Sequence, residues 1–200
     1  MAVRRSPSRM SKILPRKFYL ASPEVVARQL LGKIVARDLN REWLTGRIIE
    51  AEAYPGRSDP ASHTYIGKTA RNAVLFGPPG FSYIYFIYGM RYCLNVSCRP
   101  QGEPGGVLIR ALEPIAGIQT MARLRGFSGP AKRKLLCSGP GRLCEALGIT
   151  GSENGLDVTQ TISRLQVLDD GFRPPSILVT PRIGISRAKD LPLRFVVTGE

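Results

Sequence analysis

The chain has 200 residues, with 29 Lys and Arg against 15 Asp and Glu, and a formal net charge of +14. Hydrophobic residues make up 43% and charged residues 22%, the balance of one globular domain with its own core and not of a disordered chain. No apolar run approaches the roughly 20 residues of a membrane span, and no apolar segment follows the basic N-terminus to complete a secretory signal, so membrane and secreted classes are set aside.

The first acid is Glu24, and Arg4, Arg5, Arg9, Lys12, Arg16 and Lys17 precede it among Ser and Pro. Residues 1–15 are therefore expected to be a basic, flexible arm, either a phosphate-binding tail or a solvated terminus, ahead of one domain over 16–200. Ser22, Pro23 and Glu24 predict a helix start, and Gly32 a stop after Leu31. Residues 33–39 and 45–54 predict strands, the second ending at Pro55-Gly56. Aromatic and β-branched residues make 81–88 the strongest strand signal, broken at Gly89, with 91–97 returning as its hairpin partner. A strand over 107–112, helices over 114–125 and 141–147, and short strands at 177–180 and 193–197 complete the series. Strands and helices do not alternate regularly, which predicts an α+β domain with a mixed or antiparallel sheet.

A charge of +14 favours polyanions, nucleic acid first and acidic membrane surfaces or proteins second. A second acid-free stretch, 114–142, combines Arg123, Arg125, Lys132, Arg133, Lys134 and Arg142 with Gly-Pro loops that suit backbone contact with phosphates. Cys93, Cys98, Cys137 and Cys144 form no C-x-x-C pair and His63 is the single histidine, so no metal site is expected, only reduced, buried thiols. Walker, G-x-G-x-x-G, G-x-S-x-G and deaminase patterns are absent.

In a strand, Glu50, Glu52 and Tyr54 share a face. A polyanion-binding surface gains nothing from acids, so these two invite a chemical role; the plainer alternative is an ion pair with arginine or a solvated face. Tyr54, Tyr65, Phe81, Tyr83, Tyr85, Phe86, Tyr88 and Tyr92 concentrate half of the aromatics in a short span. Phe81 and Phe86 are expected in the core, while tyrosines with a polar end suit a binding surface that stacks on bases. Tyr88-Gly89-Met90 is the expected hairpin tip, where Tyr88 can act as a wedge in a base stack beside Arg91.

Glu-Ala-Glu-Ala-Tyr at 50–54, Asp-Pro-Ala-Ser-His at 59–63, Arg71-Asn72, the run 83–90 around Tyr-Gly-Met, Cys-Leu-Asn-Val at 93–96, Ile-Arg-Ala-Leu-Glu-Pro at 109–114, 138–144 and Leu-Arg-Phe at 193–195 occur in that order. Together the set resembles the alkyladenine (3-methyladenine) DNA glycosylase family over roughly 15–199. The resemblance implies a curved, mostly antiparallel sheet flanked by helices, and a monofunctional glycosylase of base excision repair. Such an enzyme flips alkylated or otherwise damaged purines from double-stranded DNA and hydrolyses the N-glycosidic bond without cofactor or metal. By the same resemblance Glu52 is the base that activates water and Arg110 helps hold that water. Tyr54, His63 and Tyr85 wall the base pocket, Asn95 screens against normal guanine, and Tyr88 intercalates. Ala70 and Ala73 depart from the family's Pro and second Arg. The implied setting is a monomer in a bacterial cytoplasm at the nucleoid, or a nucleus or organelle in a eukaryote. A non-catalytic nucleic-acid-binding module and an RNA-directed hydrolase are the alternatives.

Overall fold

The computed structural model describes residues 11–87, 91–127 and 133–199. In chain order these form β1 (Lys12–Ile13), α1 (Pro23–Leu30), β2 (Ile34–Leu39), β3 (Glu42–Tyr54), β4 (Ser82–Ile87), β5 (Arg91–Ser97), β6 (Gly106–Ala116), α2 (Ile118–Leu124), α3 (Arg133–Leu136), α4 (Pro140–Ala146), β7 (Leu165–Asp169), β8 (Ser176–Thr180) and β9 (Arg194–Thr198). The strands make one sheet in the order β1-β7-β2-β3-β6-β5-β4, with β9 joined to β3 and β8 to β9. Every pairing is antiparallel.

The thirteen-residue β3 organises the sheet. One edge pairs with β6 along its length, while the other pairs first with β2 and then, over Glu50–Glu52, with β9. Ala51 and Ala53 are fully buried on its inner face with Ile48. Small side chains there let α1 lie against β3 and bury Val26, Ala27 and Leu30. Farther along the sheet α4 packs on β5 and β6, burying Leu143 and Ala146 in the same core. The result is one α+β domain with a curved antiparallel sheet flanked by helices. No helix among the described residues is long and apolar enough to cross a membrane.

The helix expected over 114–125 starts four residues later, because Pro114, Ile115 and Ala116 continue β6. Pro114 sits opposite Gly46, where the register shifts beside Thr45; a bulge is where a sheet accepts a residue with no N–H. The turn into α2 falls at Gly117, at φ 74°, where a Cβ would meet Leu44 Cδ2 at 2.3 Å. Only glycine fits that conformation and that approach. Phe86, expected in the core, is 48% exposed and stacks on Tyr92 with centroids 4.8 Å apart. Tyr83 takes the interior place instead, at 2% exposure. Lys12–Ile13 pair with β7, so the sheet begins inside the segment read as the arm; residues 1–10 lie outside the described residues. All four cysteines are free and buried.

Candidate active site

The sheet bulges where the acids lie. Ile48 faces Leu112, Glu50 faces Ala111 and Ala51 faces Ile109, so β3 carries one extra residue, Ile49, and β6 carries one, Arg110. Bulges re-aim side chains, and here Arg110 meets both Glu50 and Glu52. Its Nε donates to Glu50 Oε1 at 2.8 Å and its Nη1 lies 3.2 Å from Glu52 Oε1. Burial works against the Arg110 charge, but Glu52 and Glu50 outweigh it and hold the guanidinium more firmly protonated than usual. Glu50 also accepts from Arg194 Nε at 2.6 Å. The plain ion-pair role therefore fits Glu50.

Glu52 differs. It is completely buried, and its neighbours donate to it. The Ile183 backbone N–H donates to Oε1 at 2.8 Å, and the Tyr54 hydroxyl to Oε2 at 3.0 Å. Burial first and Glu52 second push the Tyr54 phenol above its ordinary pKa, so it remains a donor at neutral pH. A carboxylate offers about four lone-pair sites. Tyr54, Ile183 and Arg110 use three of them, and these same residues line a cavity of about 300 Å³. Glu52 thus stands directly behind the cavity wall.

The rest of the cavity is aromatic and amide. His63, Tyr83, Tyr85, Cys93, Asn95 and Arg71 line it. His63 sits edge-on to Tyr85, with centroids 4.5 Å apart, and its Nδ1 shares a hydrogen bond of 2.9 Å with the Tyr83 hydroxyl. Burial, then Arg71, holds the imidazole below its ordinary pKa, so the ring is uncharged at neutral pH. The Asn95 Nδ2 donates to the Tyr83 carbonyl at 3.1 Å, which fixes the amide's direction. His63 is carried by a loop that Asn72 knots together: its Nδ2 donates to the carbonyls of His63 at 2.8 Å and Gly67 at 2.9 Å. The replacements at Ala70 and Ala73 leave that knot intact. The hollow extends past His63 and Arg71 into a second one bordered by Tyr65, Thr69 and Arg187.

Glu52, Arg110, Tyr54, His63, Tyr85 and Asn95 thus meet at one cavity. Tyr88 lies outside the described residues. Sequence reasoning assigned no role to Asp59, Arg71, Arg182 or Ile183. Asp59 and Arg182 form a buried ion pair across 123 positions, a separation that leaves no local signal. Arg71 stood in a quoted motif, but its place over the Tyr85 ring, 5.6 Å from the centroid, follows from the fold of the loop.

Comparison with known proteins gives the class first. The model of a DNA glycosylase family, a group of hydrolases, matches residues 17–200. Relatives named "Putative 3-methyladenine DNA glycosylase" accompany it. The one from Koribacter versatilis is 54% identical over 187 residues, covering 93% of this chain and 90% of the relative. That from Burkholderia cenocepacia is 49% identical over 189 residues, 94% and 88% of the two chains. That from Carboxydothermus hydrogenoformans is 46% identical over 183 residues, 92% and 94%. The matching family is described as Methylpurine-DNA glycosylase (MPG), and the chain belongs to it.

Proposed function

We propose that the protein excises alkylated purines such as 3-methyladenine from double-stranded DNA, using Glu52 to activate water and leaving an abasic site. The observation that carries this is the buried Glu52 carboxylate, held by Tyr54, Arg110 and the Ile183 N–H at the wall of an aromatic cavity. A binding module has no use for a buried carboxylate there.

A base inside a duplex must be extruded, at a cost of a few kcal/mol that is smallest for a damaged pair. Tyr54 stacks on one face of the extruded base, and His63 with Tyr85 closes on the other. An alkylated purine nucleotide is cationic and gains attraction from aromatic faces. The uncharged His63 adds no opposing charge. Water reaches Glu52 past Arg110, whose 3.2 Å contact is the longest of the three. As the bond from C1′ to the base nitrogen breaks, its electron pair leaves with the purine and the sugar becomes oxocarbenium-like. The ionised carboxylate stabilises that charge and takes a proton from the water as oxygen bonds C1′. The excess cations supply salt-sensitive contacts to phosphates. Tyr88 fills the space the base vacates. The protein works as a monomer, in the cytoplasm at the nucleoid.

The test is single-turnover base release from methylated duplex DNA, scored by alkali cleavage at abasic sites. Glu52→Gln keeps damaged-duplex binding and loses release by about a thousandfold or more, at the upper end of what one positioned base and charge supply. Release at the wild-type rate from that variant would reject Glu52 as the base. Tight binding with no release by the wild type favours the binding module, and preferential action on RNA the RNA-directed hydrolase.

A further inference from the structure

Two buried charges have no part in the chemistry above. The Arg182 side chain is 0% exposed and that of Asp59 is 1% exposed. The pair is bidentate, with Arg182 Nη2 donating to Asp59 Oδ1 at 2.8 Å and Nη1 to Oδ2. Nη1 also donates to the Ala53 carbonyl at 3.0 Å, on β3 between Glu52 and Tyr54. The guanidinium carbon lies 4.6 Å from the centre of the Tyr54 ring. Arg182 lines neither hollow, so it backs the ring on a side away from the cavity. The next residue, Ile183, gives its N–H to Glu52.

One guanidinium therefore governs two of the three donors on Glu52: the Tyr54 hydroxyl through the ring it backs, and the Ile183 N–H through the chain it anchors. We infer that Asp59 and Arg182 are positioning residues that hold Tyr54 and Ile183 on the Glu52 carboxylate from behind, leaving only the Arg110 side of that carboxylate open to water. This rests on the reading of Glu52 as the base. A buried ion pair is not needed merely to pin a loop, because apolar residues of similar volume often do so equally well. What apolar residues cannot do is seat a cation over a phenol ring while bonding a strand carbonyl and a carboxylate in fixed directions.

Asp59→Asn removes the charge with little change of shape, and Arg182→Lys keeps the charge but loses the fork and the flat face. If Asp59→Asn fails to fold by circular dichroism, Arg182→Lys carries the same test. The full chain is labelled with 13C at glutamate carboxyls, and Glu52→Gln identifies the Glu52 signal. Loosening two donors changes the hydrogen bonding of the carboxylate, so the Glu52 signal should shift in both variants. Single-turnover release from methylated duplex DNA slows by about tenfold, while duplex affinity changes by less than about threefold. A Glu52 signal that keeps its wild-type position in both variants reduces the pair to packing and overturns the inference. A wild type that releases no purine, with a Glu52 signal that still moves in the variants, ends the glycosylase mechanism and keeps the clamp. An active wild type with an unmoved signal in the variants does the reverse.

Discussion

At the scale of single residues, the environment divides Glu50 from Glu52. Both sit on one face of β3 and both meet Arg110, but Glu50 is answered by a second cation, Arg194. Glu52 is answered instead by a phenol and a backbone amide at the cavity wall. Alternation in a strand was enough to align the two acids with Tyr54. Choosing between them needed the resemblance or the structure, because the partners come from β6, β9 and the loop at 182–183, far along the chain. Asn95 is a second case. Its side chain is buried at the cavity, and its Nδ2 is committed to the Tyr83 carbonyl, so the amide cannot turn freely to suit an incoming base. On the function proposed above, a purine with an exocyclic amino group in the minor-groove position, as guanine has, meets this fixed side chain. Asn95→Ala or Asn95→Ser is expected to raise release of normal guanine by about tenfold, the scale of one lost steric or polar clash. Release from methylated sites should change much less. Counting guanine liberated from undamaged duplex DNA by the variants and the wild type checks this, and equal release removes Asn95 from specificity.

At the scale of elements, local pattern was legible where a strand or helix is decided by its own residues. Pro23 and Glu24 open α1, β-branched and aromatic runs make β3 and β4, and Gly89 separates β4 from β5 in sequence. The pattern misled where a neighbour decides. Residues 114–116 look like a helix start after a proline, yet pairing with β3 keeps them in β6, and Gly117 marks the real turn. The strand β7 was not read at all. Its five residues, Leu-Gln-Val-Leu-Asp, alternate only weakly, and it exists because β1 and β2 pair on either side of it. Phe86 was assigned inward by hydrophobicity, whereas the hairpin's face points it outward onto Tyr92. The importance of Gly117 can be measured. Gly117→Ala puts a side chain at φ 74° against Leu44, which costs about 1–2 kcal/mol in backbone strain alone. In a domain of this size that lowers Tm by roughly 2–8 °C. Gly117 is not a cavity residue, so release per folded molecule should match the wild type. An unchanged Tm in a thermal melt would mean that the β6–α2 turn relaxes at no cost.

At the scale of the whole molecule, a net charge of +14 coexists with a compact fold because acids are spent on internal pairs. Asp169 holds Lys33 at the β7–β2 junction, Asp170 holds Arg47 of β3, Asp157 holds Arg16, and Glu153 holds Arg37 and Arg164. Lys12, Lys17, Arg28, Arg123, Lys134 and Arg142 are exposed at the surface. These four carboxyls all sit below their ordinary pKa: burial pushes all four upward and is the largest single influence on three, but hydrogen bonds and cations outweigh it, and for Asp170 the bond from Arg47 is the largest influence. A carboxyl with a lower pKa folded than unfolded lends stability above its unfolded value, about 4 for Asp and Glu, and that stability is lost as pH falls through the folded value. Protonation also raises the net positive charge, and self-repulsion acts in the same direction. The urea midpoint should therefore hold level near neutrality and drop steeply below about pH 4. Asp169→Asn should begin lower at neutral pH and lose less on acidification, so that the two curves converge in acid. Curves that stay parallel down to acid would show that the Lys33–Asp169 pair adds nothing to stability, and that the sheet edge at β1 and β7 is held by backbone pairing and burial alone.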